Sequence, residues 1–289
     1  MFRKPIIGGL VLLLALLAGC SAVRFAYNQG PDLAFWWLER YIDFDDAQEP
    51  RAHEAIAAWF RWHRSTQLPD YASLLAKARS EVAEPVTAGQ ICHWVDEVMA
   101  RLDTAYEHAL PPLADMVRGL SPQQLAHLER KYEKNNKEYR KDFLQADAQE
   151  RQRMQVKRII DGAELLYGRL NDAQRDAVVQ WSADSPFDPE LWYVERQRRQ
   201  QGAVQALRRM AAEHSDAEEV QRVLRQLYEE TFRSPRPAYR AYQQRLWQHN
   251  CAFAAQVHNL STPEQRAQAV KRLKGWEDDA RSLAVQGTR

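Results

Sequence analysis

Residues 86–106 read VTAGQICHWVDEVMARLDTAY, and their apolar side chains recur at intervals of three and four residues. The repeating positions are Ile91, Val95, Val98, Leu102 and Tyr106. An α-helix has 3.6 residues per turn, so this spacing places the five side chains on one helical face. The stretch therefore predicts a long amphipathic helix.

The same spacing recurs along most of the chain from residue 31 onward, and no window alternates in the manner of a strand. We therefore predict an all-α fold, a bundle-like single domain of about ten helices that spans residues 31–289. Pro, Gly and polar residues mark the expected breaks between helices. The predicted junctions are Gly30-Pro31, Leu68-Pro69, Pro111-Pro112, Asn171-Asp172, Ser185-Pro186, Ser234-Pro235 and Thr262-Pro263.

Composition and charge narrow the function classes. The chain has 289 residues, with 40 Lys and Arg against 39 Asp and Glu. So balanced a charge gives no strong field, and we expect no nucleic-acid partner. The mean hydropathy of −0.62 argues against a protein with several membrane spans.

The N-terminus has the features of an export signal. Arg3 and Lys4 precede an apolar run over residues 6–18, which is short for a membrane span. Leu17-Ala18-Gly19-Cys20 follows and resembles the lipobox of bacterial lipoproteins. The resemblance implies cleavage of a signal peptide over residues 1–19, lipidation of Cys20 and a tether over residues 20–30. Ser21, rather than Asp, favours the periplasmic face of the outer membrane; an ordinary signal peptide is the alternative.

Two further cysteines, Cys92 and Cys251, form an even pair. In an oxidising compartment such a pair favours a disulfide. The bond would join positions 159 residues apart and contribute roughly 5 kcal/mol on the chain-entropy model. Two buried thiols that never meet are the alternative.

Five expected helix starts share a capping residue followed three positions later by Gln. The pairs are Asp45 and Gln48, Thr87 and Gln90, Ser121 and Gln124, Asn171 and Gln174, and Thr262 and Gln265. Each pair predicts a capping box, in which the two side chains satisfy backbone N–H groups of the first turn. The pattern is also similar to the LTxxQ motif of Spy/CpxP-type periplasmic proteins, a family of small helical chaperones. Capping alone is the favoured interpretation.

A broader resemblance covers most of the chain after Cys20. It rests on Tyr27-Asn28, on the aromatic run over residues 35–38, and on the stretches over residues 40–43, 62–64 and 67–71. This order is similar to an uncharacterised family of Gram-negative lipoproteins, known as a domain of unknown function. The resemblance implies a lipoprotein with an all-α fold and carries no activity or ligand.

No known catalytic pattern is present in the sequence. There is no phosphate-binding Gly-rich loop, no G-x-S-x-G and no H-E-x-x-H, and the eight His residues are scattered. We therefore expect no enzyme, metal, cofactor or small-molecule substrate. A cell-wall-acting enzyme with an unrecognised pair of acids is a remaining, weaker possibility.

Two basic stretches and nine Trp residues are candidate contact surfaces. Residues 129–158 and 195–209 each carry an excess of four positive charges. For the two stretches a solvated helix face is the favoured interpretation, and a face for an anionic partner is the alternative. For the Trp residues core packing is the favoured interpretation, and an exposed aromatic groove for unfolded chains or acyl tails is the alternative. For Trp36 and Trp37, contact with lipid headgroups is the alternative. Our leading hypothesis is a lipid-anchored, chaperone-like binding protein for protein clients; an adaptor of an envelope complex is the second.

Overall fold

Helices dominate the computed structural model, which describes residues 22–286. Residues 22–28 are helical, eleven further α-helices follow, and the described part of the chain contains no strand. The helices are α1 (Gly30–Ile42), α2 (Glu49–Trp62), α3 (Leu68–Glu81), α4 (Ala88–Arg118), α5 (Pro122–Phe143), α6 (Ala148–Tyr167), α7 (Asp172–Asp184), α8 (Pro189–Glu213), α9 (Ala217–Phe232), α10 (Pro237–Asn259) and α11 (Pro263–Gln286). The predicted all-α fold is confirmed.

Five predicted junctions separate helices as expected, and two do not. The chain breaks before α1, α7, α8, α10 and α11, at the predicted positions. The prediction of a break at Pro111-Pro112 is wrong, because α4 continues through both prolines. Leu110 and Ala114 are fully buried on either side of the pair. Their packing outweighs the roughly 3 kcal/mol that an internal proline costs a helix.

The junction predicted at Leu68-Pro69 is also wrong. There α2 passes into α3 through a π-helical turn, His63–Gln67, instead of a loop. At Gly30-Pro31, by contrast, α1 begins as predicted, after a turn at Gln29 and with Pro31 in its first turn. Two backbone bonds span this turn, since Gln29 N–H donates to Phe25 O at 3.1 Å and Leu33 N–H donates to Gln29 O at 3.0 Å. Cys20 and the predicted signal peptide lie outside the described residues.

Three apolar clusters hold the helices together. One joins α4, α5, α8 and α9 around Leu125, Leu128 and Val204. A second joins α3 and α11 around Val82 and Leu273. The third, around Leu170, Val178 and Val257, joins α6, α7 and α10. Since α11 packs on α3, the last helix closes against the N-terminal half of the chain. Within the described residues, no helix is both long and apolar enough to cross a membrane.

Aromatic rings surround the π-helical turn. His63 is buried there, stacks on Trp59 at 4.7 Å between ring centroids, and contacts the edge of Tyr71 at 5.2 Å. The hydroxyl of Tyr27 lies 2.8 Å from His63 Nδ1. Burial lowers the pKa of His63 from 6.5 to about 4. The ring is therefore neutral at neutral pH, and it ties the residues before α1 to the turn.

This burial predicts a loss of stability in mild acid. Unfolded His63 takes up a proton near pH 6.5 and the folded residue only near pH 4. Its contribution to the free energy of unfolding is therefore complete above pH 6.5 and is lost as the pH falls from 6.5 towards 4. In urea unfolding across this window, His63→Phe should make the decline with pH shallower than in wild type. The exposed His93 gives the matched control, His93→Phe; equal slopes for the two variants would contradict the assignment.

Candidate functional site

All five predicted cap-and-Gln pairs form reciprocal hydrogen bonds. At Thr87 and Gln90, for example, Gln90 N–H donates to Thr87 Oγ1 at 3.2 Å, and Thr87 N–H donates to Gln90 Oε1 at 2.8 Å. The same exchange occurs at Asp45, Ser121, Asn171 and Thr262. At Asp45 the bonds precede the helix, because α2 begins only at Glu49.

Four of the five glutamines also meet in pairs. Gln124 Nε2 donates to Gln48 Oε1 at 2.6 Å and to the carbonyl of Asp43 at 2.9 Å. Gln48 Nε2 donates in turn to the carbonyl of Gly119 at 2.8 Å. Both side chains are buried. This first glutamine junction joins the loop between α1 and α2 to the loop between α4 and α5.

A second glutamine junction repeats the arrangement in the other half of the chain. Gln265 Nε2 donates to Gln174 Oε1 at 2.8 Å and to the carbonyl of Arg169 at 2.9 Å. Gln174 Nε2 donates to the carbonyl of Val257 at 3.2 Å. The loop between α6 and α7 is thereby joined to the loop between α10 and α11. Since these glutamines are buried, their role here is to fix loops to one another.

The second junction predicts a large difference between two similar substitutions. Gln174→Ala removes the partners of Asn171 N–H, of the Val257 carbonyl and of one bond from the Gln265 amide, which should lower the free energy of unfolding by about 3 kcal/mol. Gln90 forms the same capping box but is exposed and has no glutamine partner. Gln90→Ala should therefore cost only about 1 kcal/mol. Chemical unfolding measures both; equal losses would show that Gln174 acts as a cap alone.

A disulfide joins α4 to α10. Cys92 and Cys251 are bonded, and their Cα atoms lie 5.4 Å apart. About two turns farther along α10, the side chain of Asn259 accepts from Val86 N–H and donates to Val86 O, both at 2.9 Å. His258 Nε2 lies 2.9 Å from the carbonyl of Glu84. The covalent bond and these hydrogen bonds together form the α4–α10 clamp.

The clamped helices supply two walls of an open cleft. It has a volume of about 890 Å³ and lies between α4, α8, α9 and α10. Its aromatic lining consists of Trp192, Tyr228, Phe232, Tyr239, Tyr242 and Trp247. Tyr239 and Tyr242 are buried, whereas Phe232 and Trp247 are exposed. We call this site the aromatic cleft.

Charges in the aromatic cleft are balanced. Asp96, Asp103 and Glu229 face three arginines, Arg199, Arg233 and Arg240. Arg199 donates to the carbonyl of Thr231 at 2.9 Å, and burial lowers the pKa of its guanidinium. A site with as many acids as arginines does not favour a purely anionic ligand.

Three phenols line the aromatic cleft. The hydroxyl of Tyr228 donates to Asp103 Oδ1 at 2.8 Å. Burial, with the Asp103 carboxylate, raises the pKa of Tyr228, and burial raises the pKa of Tyr239 and Tyr242. All three phenols therefore keep their protons at neutral pH. Neutral aromatic rings beside arginines suit non-covalent contact with apolar and amide groups.

A second cleft of about 860 Å³ borders the first. Both are lined by Leu246 and Asn250 of α10, so these two residues stand between them. Arg158 lies over the ring of Phe143 in this second cleft, 4.1 Å from its centroid.

The sequence patterns did not lead to the aromatic cleft. A usable signal exists in the spacing of Tyr228 and Phe232 on α9, and of Tyr239, Tyr242 and Leu246 on α10. These residues recur at helical intervals, yet nothing in their spacing shows that the two faces turn towards one another.

Some cations of the two predicted basic stretches form ion pairs. Arg208 pairs with Glu129, and Arg198 pairs with Glu195 and Glu230. These pairs agree with the interpretation of a solvated helix face. The core-packing prediction is wrong for Trp36 and Trp37, which are 56% and 55% exposed.

Within the described part of the chain, no group of three or more His, Cys, Asp or Glu side chains could hold a metal ion. The arrangement defines an all-helical protein whose candidate site is a binding cleft. The chain belongs to the Family of unknown function (DUF6279), whose model matches residues 40–240. No curated protein and no solved structure matches it.

Proposed function

We propose that this protein is a periplasmic lipoprotein of the outer membrane that binds segments of client polypeptides in the aromatic cleft. Binding is chaperone-like and non-enzymatic. The anchor is supported by the basic start, the short apolar run and the Leu17-Ala18-Gly19-Cys20 sequence. The Cys92–Cys251 disulfide agrees with an oxidising compartment.

One observation carries the binding role, namely the composition and shape of the aromatic cleft. Trp, Tyr and Arg are the residue types that contribute most to protein-binding surfaces. Here they line an open cleft of about 890 Å³ whose charges balance. An extended peptide presents apolar side chains, which can pack on the exposed rings of Phe232 and Trp247. Its amide groups can accept hydrogen bonds from the guanidinium groups of the cleft.

The similarity to the LTxxQ motif does not support the client-binding role. The glutamines at positions 48, 124, 174 and 265 are buried in the two glutamine junctions. They are therefore not available to a client. The aromatic cleft is the more direct basis for the chaperone-like proposal.

The cleft predicts that the soluble protein from residue 21 onward suppresses aggregation of a reduced, unfolding client near a stoichiometric ratio. A Phe232→Ala, Trp247→Ala double variant should raise the half-effective concentration by about tenfold, because both exposed rings are lost from the rim. Light scattering at increasing protein concentration measures the effect.

Trp36→Ala is the matched control, since Trp36 is exposed to a comparable degree but lies outside the aromatic cleft. It should leave the suppression unchanged. No suppression by wild type at several-fold excess would contradict the chaperone-like role. Co-purification of one stoichiometric partner in that case would select the adaptor role, the second hypothesis.

A further inference from the structure

An exposed apolar stripe runs along the first helical residues. Among residues 22–40, eleven positions are exposed and seven of these are apolar. The large side chains of the stripe are Val23, Phe25, Leu33, Trp36 and Trp37. Phe25 is 69% exposed and Leu33 is 55% exposed. Contiguous exposed apolar surface of this kind marks a contact with another molecule or with a membrane.

The α1 part of the stripe lies on a single helical face. At 3.6 residues per turn, Trp36 and Trp37 lie to either side of Leu33. Residues 22–28 form a helical segment just before α1, and two backbone bonds across the turn at Gln29 join the two. Val23 and Phe25 on that segment are exposed as well.

The opposite face of the same helical segment is fixed to the body. The ring of Tyr27 packs edge-on against Phe60, with centroids 5.6 Å apart, and Phe35 stacks on His53 at 3.7 Å. Phe60 also lies against Gly30, at the edge of the stripe, where a Cβ atom would stand 2.5 Å from its ring. The stripe consequently points away from the body.

We propose that this stripe lies in the headgroup region of the lipid leaflet that holds the acylated Cys20. The proposal rests on the lipid anchor of the proposed function. Phe25 is five residues from Cys20, so even an extended chain keeps it within about 18 Å of the anchor. A stripe so close to acyl chains lies within reach of the bilayer surface.

The chemistry of the stripe fits the membrane–water boundary. Trp is enriched there because its ring is apolar and its N–H is polar. The guanidinium of Arg40 lies over the ring of Trp36, 4.7 Å from its centroid, where it can also meet lipid phosphate. Amphipathic helices with such faces lie in the plane of the interface. The surface is therefore a second, non-covalent membrane contact that sets the orientation of the body.

Quenching by brominated lipids tests the proposal. The mature, lipidated protein is reconstituted in vesicles of phosphatidylethanolamine and phosphatidylglycerol, with or without bromine on the acyl chains, and Trp emission is recorded. Wild type should be quenched by the brominated lipid. The Trp36→Phe, Trp37→Phe double variant keeps an aromatic ring at both positions but removes both indoles. In this variant the quenched part of the Trp emission should disappear.

Trp247→Phe is the matched control, because it removes an exposed Trp of the aromatic cleft, and it should retain the quenching. Flotation of the vesicles reports the anchor separately. A protein that floats with vesicles and shows no quenching, or the same quenching in the double variant, overturns the membrane contact alone. A protein that does not float overturns the contact together with the anchor, while the client assay tests the cleft independently.

Discussion

The bond between Cys92 and Cys251 joins two helices that are 159 residues apart in sequence. The side chain of Asn259 forms hydrogen bonds with the backbone N–H and C=O of Val86, just before α4 begins. This clamp fixes the start of α4 against the end of α10. Farther along, α4 enters the core with α5, α8 and α9. The position of α10 relative to that core, and with it the aromatic cleft, therefore depends on the clamp.

The two glutamine junctions complement the clamp at the loops. Each uses a pair of capping boxes, which are local features, to make a contact across 76 or 91 residues of sequence. A capping Gln has one oxygen for the backbone of its own cap and an amide group left for another partner. When that amide donates to the partner's carbonyl, two helix starts become fixed to each other. Local sequence signals thus acquire a long-range structural role.

Local features of the fold are predictable from the sequence, and long-range ones mostly are not. The apolar spacing predicts the helices, and the cap-and-Gln pattern predicts reciprocal bonds such as those of Thr87 and Gln90, because both depend on residues within one turn. Pro111 shows where this fails, since the burial of Leu110 and Ala114 decides whether α4 continues. Pairing of Gln48 with Gln124 has no signal in either motif. The pairing of Cys92 with Cys251 was favoured only by an even number of cysteines in a chain with an export signal.

The aromatic cleft lies furthest from what sequence can predict. Its rings come from three helices, and each helix shows only an ordinary apolar or aromatic spacing. The exposure of Trp36 and Trp37 was likewise undecidable, because a Trp at a helical interval fits a core as well as a surface. Their exposure indicates a contact surface because Tyr27 and Phe35, elsewhere on the same segment, pack against the body.

Amide hydrogen exchange of the oxidised and reduced protein tests the role of the clamp most directly. If the α4–α10 clamp builds the cleft, reduction should speed exchange in α10 and in the first turns of α4. Exchange in α5 and α8 around Leu128 and Val204 should stay as slow as before, because their cluster does not include the disulfide. Unchanged exchange in α10, or equal acceleration throughout all helices, would contradict the account.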